Sequence, residues 1–458
     1  VVNFWHWSSV EEIAPGLPNN WERPVPSSGT QKGLQPVCSC YSGHGVPHGS
    51  RKVIFSPKHD RYITVSNNFI EKPYFYSFAK RWLGNGLITA PGDIWKRNVK
   101  KLAGAFTGNV VDGFQDVFNS QAKKLVDCLK TEVEKEPFDV MQKYLAETTL
   151  EAICQTALGV PKISNSIITH EYYMAFKRTI ELLLTRGLNI FTHLEFMFGL
   201  TQTKKEMDKC IEVIQNVYET VSISLFTETE KRKFKSYIDL ILELNAKDPT
   251  FTTQQVRDEI NTIIVAGQET VESALFYILL MIGCKPAVQD KLYTEIKEIF
   301  GDSKRDVTKE DLARMTYCEA VINETLRLFP PAPVVIRYAD RDLQLKSCLI
   351  PKGTACVLNI YGVGRSKHYW GADVLEFQPE RWLSGSATTS ALLAFSTGKR
   401  SCIGKKYAMS IVKTVIAHCV RELVLISEAD KMKLTMDLML RPASGHLLQV
   451  GLRNTPDH

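Results

Sequence analysis

A chain of 458 residues with 44% apolar and 23% charged side chains has an ordinary globular composition, long enough to bury one large core or two. A net charge of only +6, spread evenly, excludes a nucleic-acid partner on electrostatic grounds. Eleven cysteines, an odd number at irregular positions, exclude a disulfide framework and read as reduced thiols in a protein that faces the cytosol.

Residues 1 to 55 are rich in Pro, Gly, Ser and His, lack a sustained period and are expected to be irregular. Within them Cys38, Cys40, His44 and His48 stand close enough to surround a zinc ion. Their spacing matches no common zinc pattern, and a Gly/Ser-rich loop accounts for the cluster as well. No run approaches the roughly 20 apolar residues of a spanning helix. Because the chain opens on Val1, a membrane anchor is expected to lie outside it.

From about residue 93 helical periodicity dominates. "GLNIFTHLEFMFGL", residues 187–200, is apolar enough to line a pocket or touch a bilayer, and equally ordinary as core. The longest helix is expected from an N-cap at Thr252 or Thr253, with Asp258 and Glu259 soon after, to Gly283. Apolar residues surround most of it, so it should thread the interior. Gly267, Glu269 and Thr270 interrupt that apolar run where core packing would favour Leu or Ile, and such a notch usually faces something. The alternative is a threonine bonded back onto its own helix.

A second helix, about Met315 to Phe329, should end at Pro330, Pro331 and Pro333. Glu324 and Arg327 share one of its faces, where a surface ion pair contributes only about 0.3–0.5 kcal/mol. "VVIRYADRDLQLKSCLIPKGTACVLN", residues 334–359, alternates like short strands, with Pro351-Lys352-Gly353 as a hairpin turn. There is no internal repeat.

Near the end stands "FSTGKRSCIGKKYA", residues 395–408. Ile403, Tyr407, Ala408, Ile411, Val412, Val415, Ile416 and Cys419 recur at helical spacing, which puts Cys402 in the first turn of a buried helix. Free amides and the helix dipole there favour a thiolate. Gly398 and Gly404 let backbone and a flat partner approach closely, and Arg400 offers charge to an anionic group on that partner. The combination suits the axial ligand of a haem. Phe-x-x-Gly-x-Arg-x-Cys-x-Gly fixes five positions across ten residues, too many for a chance glycine turn.

That segment resembles the haem-binding signature of the cytochrome P450 family, the haem-thiolate monooxygenases. "AGQET", Ala266 to Thr270, resembles the family's oxygen-activation segment. "ETLR", Glu324 to Arg327, is similar to its Glu-x-x-Arg, and "PERW", Pro379 to Trp382, resembles the later partner loop. The resemblance covers roughly residues 60 to 450. It implies a mainly α fold with small β-sheets, the haem lying between the long central helix and the Cys402 loop. Residues 56–458 would form this domain, while 1–55 match nothing in the family and read as truncated or altered.

The resemblance further implies haem b, with Cys402 as ligand to its iron, O2 as co-substrate, and one oxygen atom placed in a lipophilic substrate. Ala266 and Gly267 would leave room for dioxygen, and Thr270 with Glu269 would relay protons. Phe395, Gly398 and Gly404 would flank the cofactor, and Trp95, Arg337 and Arg400 would hold its carboxylates. Arg381 would join Glu324 and Arg327 in a buried structural network. The family commonly has arginine where this chain has Val99, following Asn98, which leaves Arg97 or Lys100 as substitutes. Ala266 excludes the glutamate that esterifies haem in one branch, and Val271 replaces a frequent second threonine.

The chain carries no Gly-x-Gly-x-x-Gly of its own, so electrons are expected from NADPH through NADPH-cytochrome P450 reductase, with cytochrome b5 as a second donor. Lys96, Arg97, Lys100, Lys101, Lys399, Lys405 and Lys406 would form a basic patch for that acidic partner. The family branch, most like the microsomal enzymes of arthropods, suggests the cytosolic face of the endoplasmic reticulum membrane. Two other readings are a sensor, carrier or inactive member of the same fold, and a cysteine hydrolase. The hydrolase needs a base, and His418 lies some four turns along the helix from Cys402.

Overall fold

A computed structural model of the chain describes residues 69–159, 170–227, 236–344, 349–383 and 391–453. The Cys38, Cys40, His44, His48 cluster lies outside them. Helices of ten residues or more are numbered: α1 Gly92–Leu102, α2 Gln115–Lys130, α3 Ala146–Leu158, α4 His170–Leu188, α5 Gln202–Thr227, α6 Tyr237–Lys247, α7 Thr253–Cys284, α8 Pro286–Phe300, α9 Thr316–Leu328 and α10 Lys405–Glu422. The strands are β1 Val334–Tyr338, β2 Leu343–Gln344, β3 Leu349–Ile350, β4 Ala355–Asn359, β5 Leu423–Ser427, β6 Lys433–Met436, β7 Leu440–Ser444 and β8 Leu448–Leu452. The architecture is mainly α with small antiparallel sheets, as the sequence implies.

The long helix α7 organises the core. Thr252 caps it, its hydroxyl accepting from the Gln255 amide at 3.2 Å. From Val271 to Ile282 nearly every side chain is buried, and the helix packs against α3, α9, α10 and β5. Contrary to the sequence reading, α7 is long and apolar enough to cross a bilayer by length and composition. Its apolar surface is instead covered by protein: 78% of its most hydrophobic window is buried.

Helix α9 stops at Leu328, before the prolines, because the residue preceding a proline is pushed out of the helical region. β1 pairs with β4 from Val334 opposite Asn359 to Tyr338 opposite Ala355, while β2 pairs with β3. The expected hairpin at Pro351-Lys352-Gly353 is therefore only half right. The turn exists, with Gly353 at φ +85° and the Thr354 amide on the Pro351 carbonyl. It carries the chain from one sheet into the other, and β3 and β4 do not pair.

Candidate functional site

One face of α7, carrying Ile263, Ala266, Gly267, Thr270, Val271 and Ala274, walls an apolar cavity of about 900 Å³ counted to its mouth. Phe395, Cys402, Ile403 and Gly404 face it from the other side.

The cysteine loop is a set of tight turns. Ser396 and Gly398 both have positive φ, 55° and 75°, the Ser401 amide donates to the Gly398 carbonyl, and the Cys402 amide to that of Phe395 at 2.9 Å. Gly398 is thus required by its own left-handed backbone. Gly404 is different. Its φ is −86°, and a Cβ added there would meet nothing nearer than Cys402 Sγ, at 3.8 Å. Protein packing does not demand a glycine at this position; something occupying the cavity would.

Helix α10 begins at Lys405 with Gly404 as N-cap, so Cys402 precedes the helix instead of standing in its first turn. The Cys402 side chain is exposed on the cavity side, though the walls withdraw it from bulk water. Burial raises the thiol pKa, and the Gly404 amide and the Lys405 charge pull it back only in part. The free thiol therefore lacks the thiolate preference expected from a helix start; a bound cation would supply it.

On α7, the Thr270 hydroxyl donates to the Ala266 carbonyl at 2.7 Å, the back-bond weighed above. Gly267 has a packing reason of its own, since a Cβ there would come within 2.6 Å of Ile153 Cδ1 on α3. Glu269 does not line the cavity. It is buried on another side of α7, accepting from Arg441 Nη2 on β7 at 2.6 Å. Beyond it Gln268, Glu272 and Ser273 are fully buried, and their side chains lack hydrogen-bond partners among the described residues. Burial, reinforced by the Glu269 charge, pushes the Glu272 carboxyl up to about 8.

Cations gather near the cysteine loop. Arg400 donates to the carbonyls of Ile70, Leu87 and Ala90 at 3.0–3.1 Å and lies 4.3 Å over the Trp95 ring. Arg337, on β1, is 3% exposed and among the described residues donates only to its neighbour's carbonyl, Ile336, at 3.2 Å. Burial lowers both guanidinium pKa values, that of Arg400 to about 9. Sequence reasoning missed a third member, Lys72, whose pKa burial lowers furthest, followed by the charges of Arg337 and Arg400. Its only sequence signal is a lone lysine in the aromatic stretch "NNFIEKPYFY". The proposed substitutes for the missing arginine turn elsewhere: Arg97 and Lys100 are exposed, and Arg97 bonds Asn98. Asn98 in turn donates to buried Glu259 on α7 at 3.2 Å.

The chemistry of this donor set fits a haem. A sulfur ligand faces an apolar cavity, a glycine is left bare beside it, and buried Arg337 and half-buried Arg400 have no carboxylate in salt-bridge range among the described residues. A profile of the cytochrome P450 family matches residues 57–450. The chain belongs to the cytochrome P450 family. It is 31% identical over 416 residues to cytochrome P450 4V2 of Mus musculus, covering 86% of this chain and 79% of that protein. With the Homo sapiens protein of that name the identity is 29% over 425 residues, 88% and 81% of the two chains. Cytochrome P450 4c3 of Drosophila melanogaster is 27% identical over 431 residues, 88% and 80%. Arthropod relatives thus stand beside mammalian ones, and membership makes the protein a haem-thiolate monooxygenase.

Two further groups bear on the site. Glu324 is fully buried, and Arg327 Nε and Nη2 reach its two oxygens at 2.8 Å each. Arg381 Nε, the Gln378 amide and Trp382 Nε1 complete its shell at 2.8–3.0 Å. His418 lies between Asn119 and Arg421, 2.8 Å from each, and burial lowers its pKa to about 4. It is committed away from Cys402, so His418 is not the base a hydrolase would need.

Proposed function

We propose that the protein inserts one atom of O2 into a lipophilic substrate held in the α7 cavity, where Cys402 would supply the sulfur that holds haem b. The observation that carries this reading is a cavity-facing Cys402 set against Ala266, Gly267 and Thr270 within apolar walls. Haem with a thiolate ligand supplies O2 activation, because electron donation from sulfur favours O–O cleavage. The chain's part is to hold and orient that group and to exclude water.

Trp95, Arg337 and Arg400 hold the carboxylate edge, Phe395 and the turn at Gly398 shape the Cys402 loop, and Gly404 leaves room beside the sulfur. Thr270 moves protons at its Oγ1, which requires its hydroxyl to exchange the Ala266 carbonyl for a partner in the cavity. Glu269, held by Arg441, lies one residue away and serves as the nearby acid once that ion pair opens. Glu324, Arg327 and Arg381 keep the loop leading to Cys402 in place.

Electrons come from NADPH through a separate reductase, with cytochrome b5 as a second donor. Lys96, Arg97, Lys100, Lys399 and Lys405 are exposed and suit an acidic partner, whereas Lys101 is engaged with Asp248 and Lys406 with Asp112. The enzyme sits on the cytosolic face of the endoplasmic reticulum membrane. Ile190, Phe191, Leu194, Phe196 and Leu200, each 62–76% exposed, form an apolar surface that suits contact with lipid.

A carbon-monoxide difference spectrum of the reduced protein tests the reading, with a thiolate-type Soret band expected. Cys402→Ser should lose that band while retaining haem, and Thr270→Ala should uncouple O2 use from product formation. A purified chain that stays colourless with added hemin would overturn it.

A further inference from the structure

Four side chains near the head of α7 hold the backbone of one segment. The Asn261 side chain donates to the Trp82 carbonyl at 3.1 Å and that of Gln255 to the Asn85 carbonyl at 3.0 Å. In the other direction the Asn85 amide donates to Asp258 Oδ2 at 2.7 Å and the Leu87 amide to Glu259 Oε2 at 3.0 Å. The same segment gives its carbonyls at Leu87 and Ala90 to Arg400. Leu87 therefore links Glu259, through its N–H, to Arg400, through its carbonyl.

The second oxygen of Glu259 accepts from Gln255 at 2.9 Å and from Asn98 at 3.2 Å. Asn98 stands three residues after Trp95 on the buried face of α1, and Arg400 lies over the Trp95 ring. One carboxylate thus reaches Arg400 through Leu87 and Trp95 through Asn98. It is fully buried, and among the described residues no cation stands in salt-bridge range of it. Burial pushes its pKa up to about 7, against the pull of the Leu87, Asn98 and Gln255 donors. A fold seeking stability alone would be served by a neutral side chain here. Glutamine could not complete this set, because its own NH2 would face one of the three N–H donors.

We propose that Glu259 is a positioning residue for the anionic edge of the cofactor: its two oxygens fix Leu87 and Asn98, and through them set where Arg400 and Trp95 stand. The inference rests on the haem reading above. It gives α7 a second task at its head, distinct from walling the cavity at its middle.

The test uses full-length apoprotein titrated with hemin and, separately, with hemin dimethyl ester, whose carboxylates are blocked, followed by Soret absorbance. Glu259→Gln should weaken hemin binding by about tenfold, as one donor loses its acceptor. Affinity for the ester should stay within about twofold, since an uncharged edge gains little from a well-placed Arg400. In the double variant with Arg400→Met, the loss should fall short of the product of the single losses by about threefold or more, the coupling expected of groups in one bonded chain. Amide hydrogen exchange across residues 82–90 should quicken in Glu259→Gln. Asn98→Ala, which removes one donor alone, should show a smaller loss confined to hemin.

Unchanged hemin affinity in Glu259→Gln, equal losses for hemin and ester, or losses that multiply fully with those of Arg400→Met would overturn the proposal. If Glu259→Gln does not fold, Asn98→Ala decides by the same comparison. Failure of both to fold would overturn it as well, because the carboxylate would then serve the fold alone. A parent protein that binds neither compound would instead sink the haem reading.

Discussion

Two buried charge clusters in this molecule solve opposite problems. Around Glu324 every charge is answered by protein: two arginines and two further donors close the shell, and Arg327 spends its remaining donors on the carbonyls of Gly364, Val374 and Glu376. Around Arg337 and Arg400, among the described residues, no carboxylate comes within salt-bridge range, and the Glu71 charge only partly offsets that of Arg400. The first cluster is complete as folded and therefore structural. The second leaves a place for an anionic ligand.

The largest effect should come from the closed cluster. Glu324→Ala leaves the buried Arg327 guanidinium without a carboxylate, while Arg381 keeps Asp373, and should cost about 3–5 kcal/mol, read as loss of soluble protein or a collapse in melting temperature. Arg337→Met is the counter-experiment in the open cluster. Removing an unpaired buried charge should leave apoprotein stability unchanged or raise it by about 1 kcal/mol or more, and a loss like that of Glu324→Ala would erase the distinction.

Between these lies Glu272, a buried carboxyl that reduces its cost by keeping its proton. Its pKa is raised in the folded state to about 8, from an ordinary 4.5, so the folded chain binds more protons between those values and stability falls as pH rises across that window. Glu272→Gln should therefore change little at pH 4–5 and stabilise by on the order of 1–3 kcal/mol near pH 9. Melting curves at the two pH values measure it, and a pH-independent effect would place the cause in packing. The smallest effect belongs to the exposed pairs of Arg178 with Glu181 and Glu206. Arg178→Ala should cost under about 1 kcal/mol and less in high salt.

Much of this was legible in residues 252–284 and 395–422. Long apolar periodicity with a cap residue at its head specifies a helix locally, and Thr252 caps α7 as expected. The Glu324 and Arg327 pair was visible as spacing, but its burial was not, because the shell that closes it arrives from residues 364–382. The start of α10 was misjudged by three residues. The left-handed turns at Ser396 and Gly398 hold the chain out of helix through Cys402, and apolar periodicity downstream carries no information about that.

Gly267 and Glu269 show the same division. Both read as members of an oxygen-facing notch; Gly267 does line the cavity, although Ile153 also leaves no room there for a Cβ, while Arg441 holds Glu269 away from it, partners more than 100 residues distant in sequence. Sequence alone determined which segments are helical, which cysteine is fenced by glycine and arginine, and hence the family. Those signals are local, written in period, cap and turn chemistry. Which buried charges are answered and which await a ligand was decided only by tertiary structure, because desolvation and pairing depend on segments that meet only when the chain has folded.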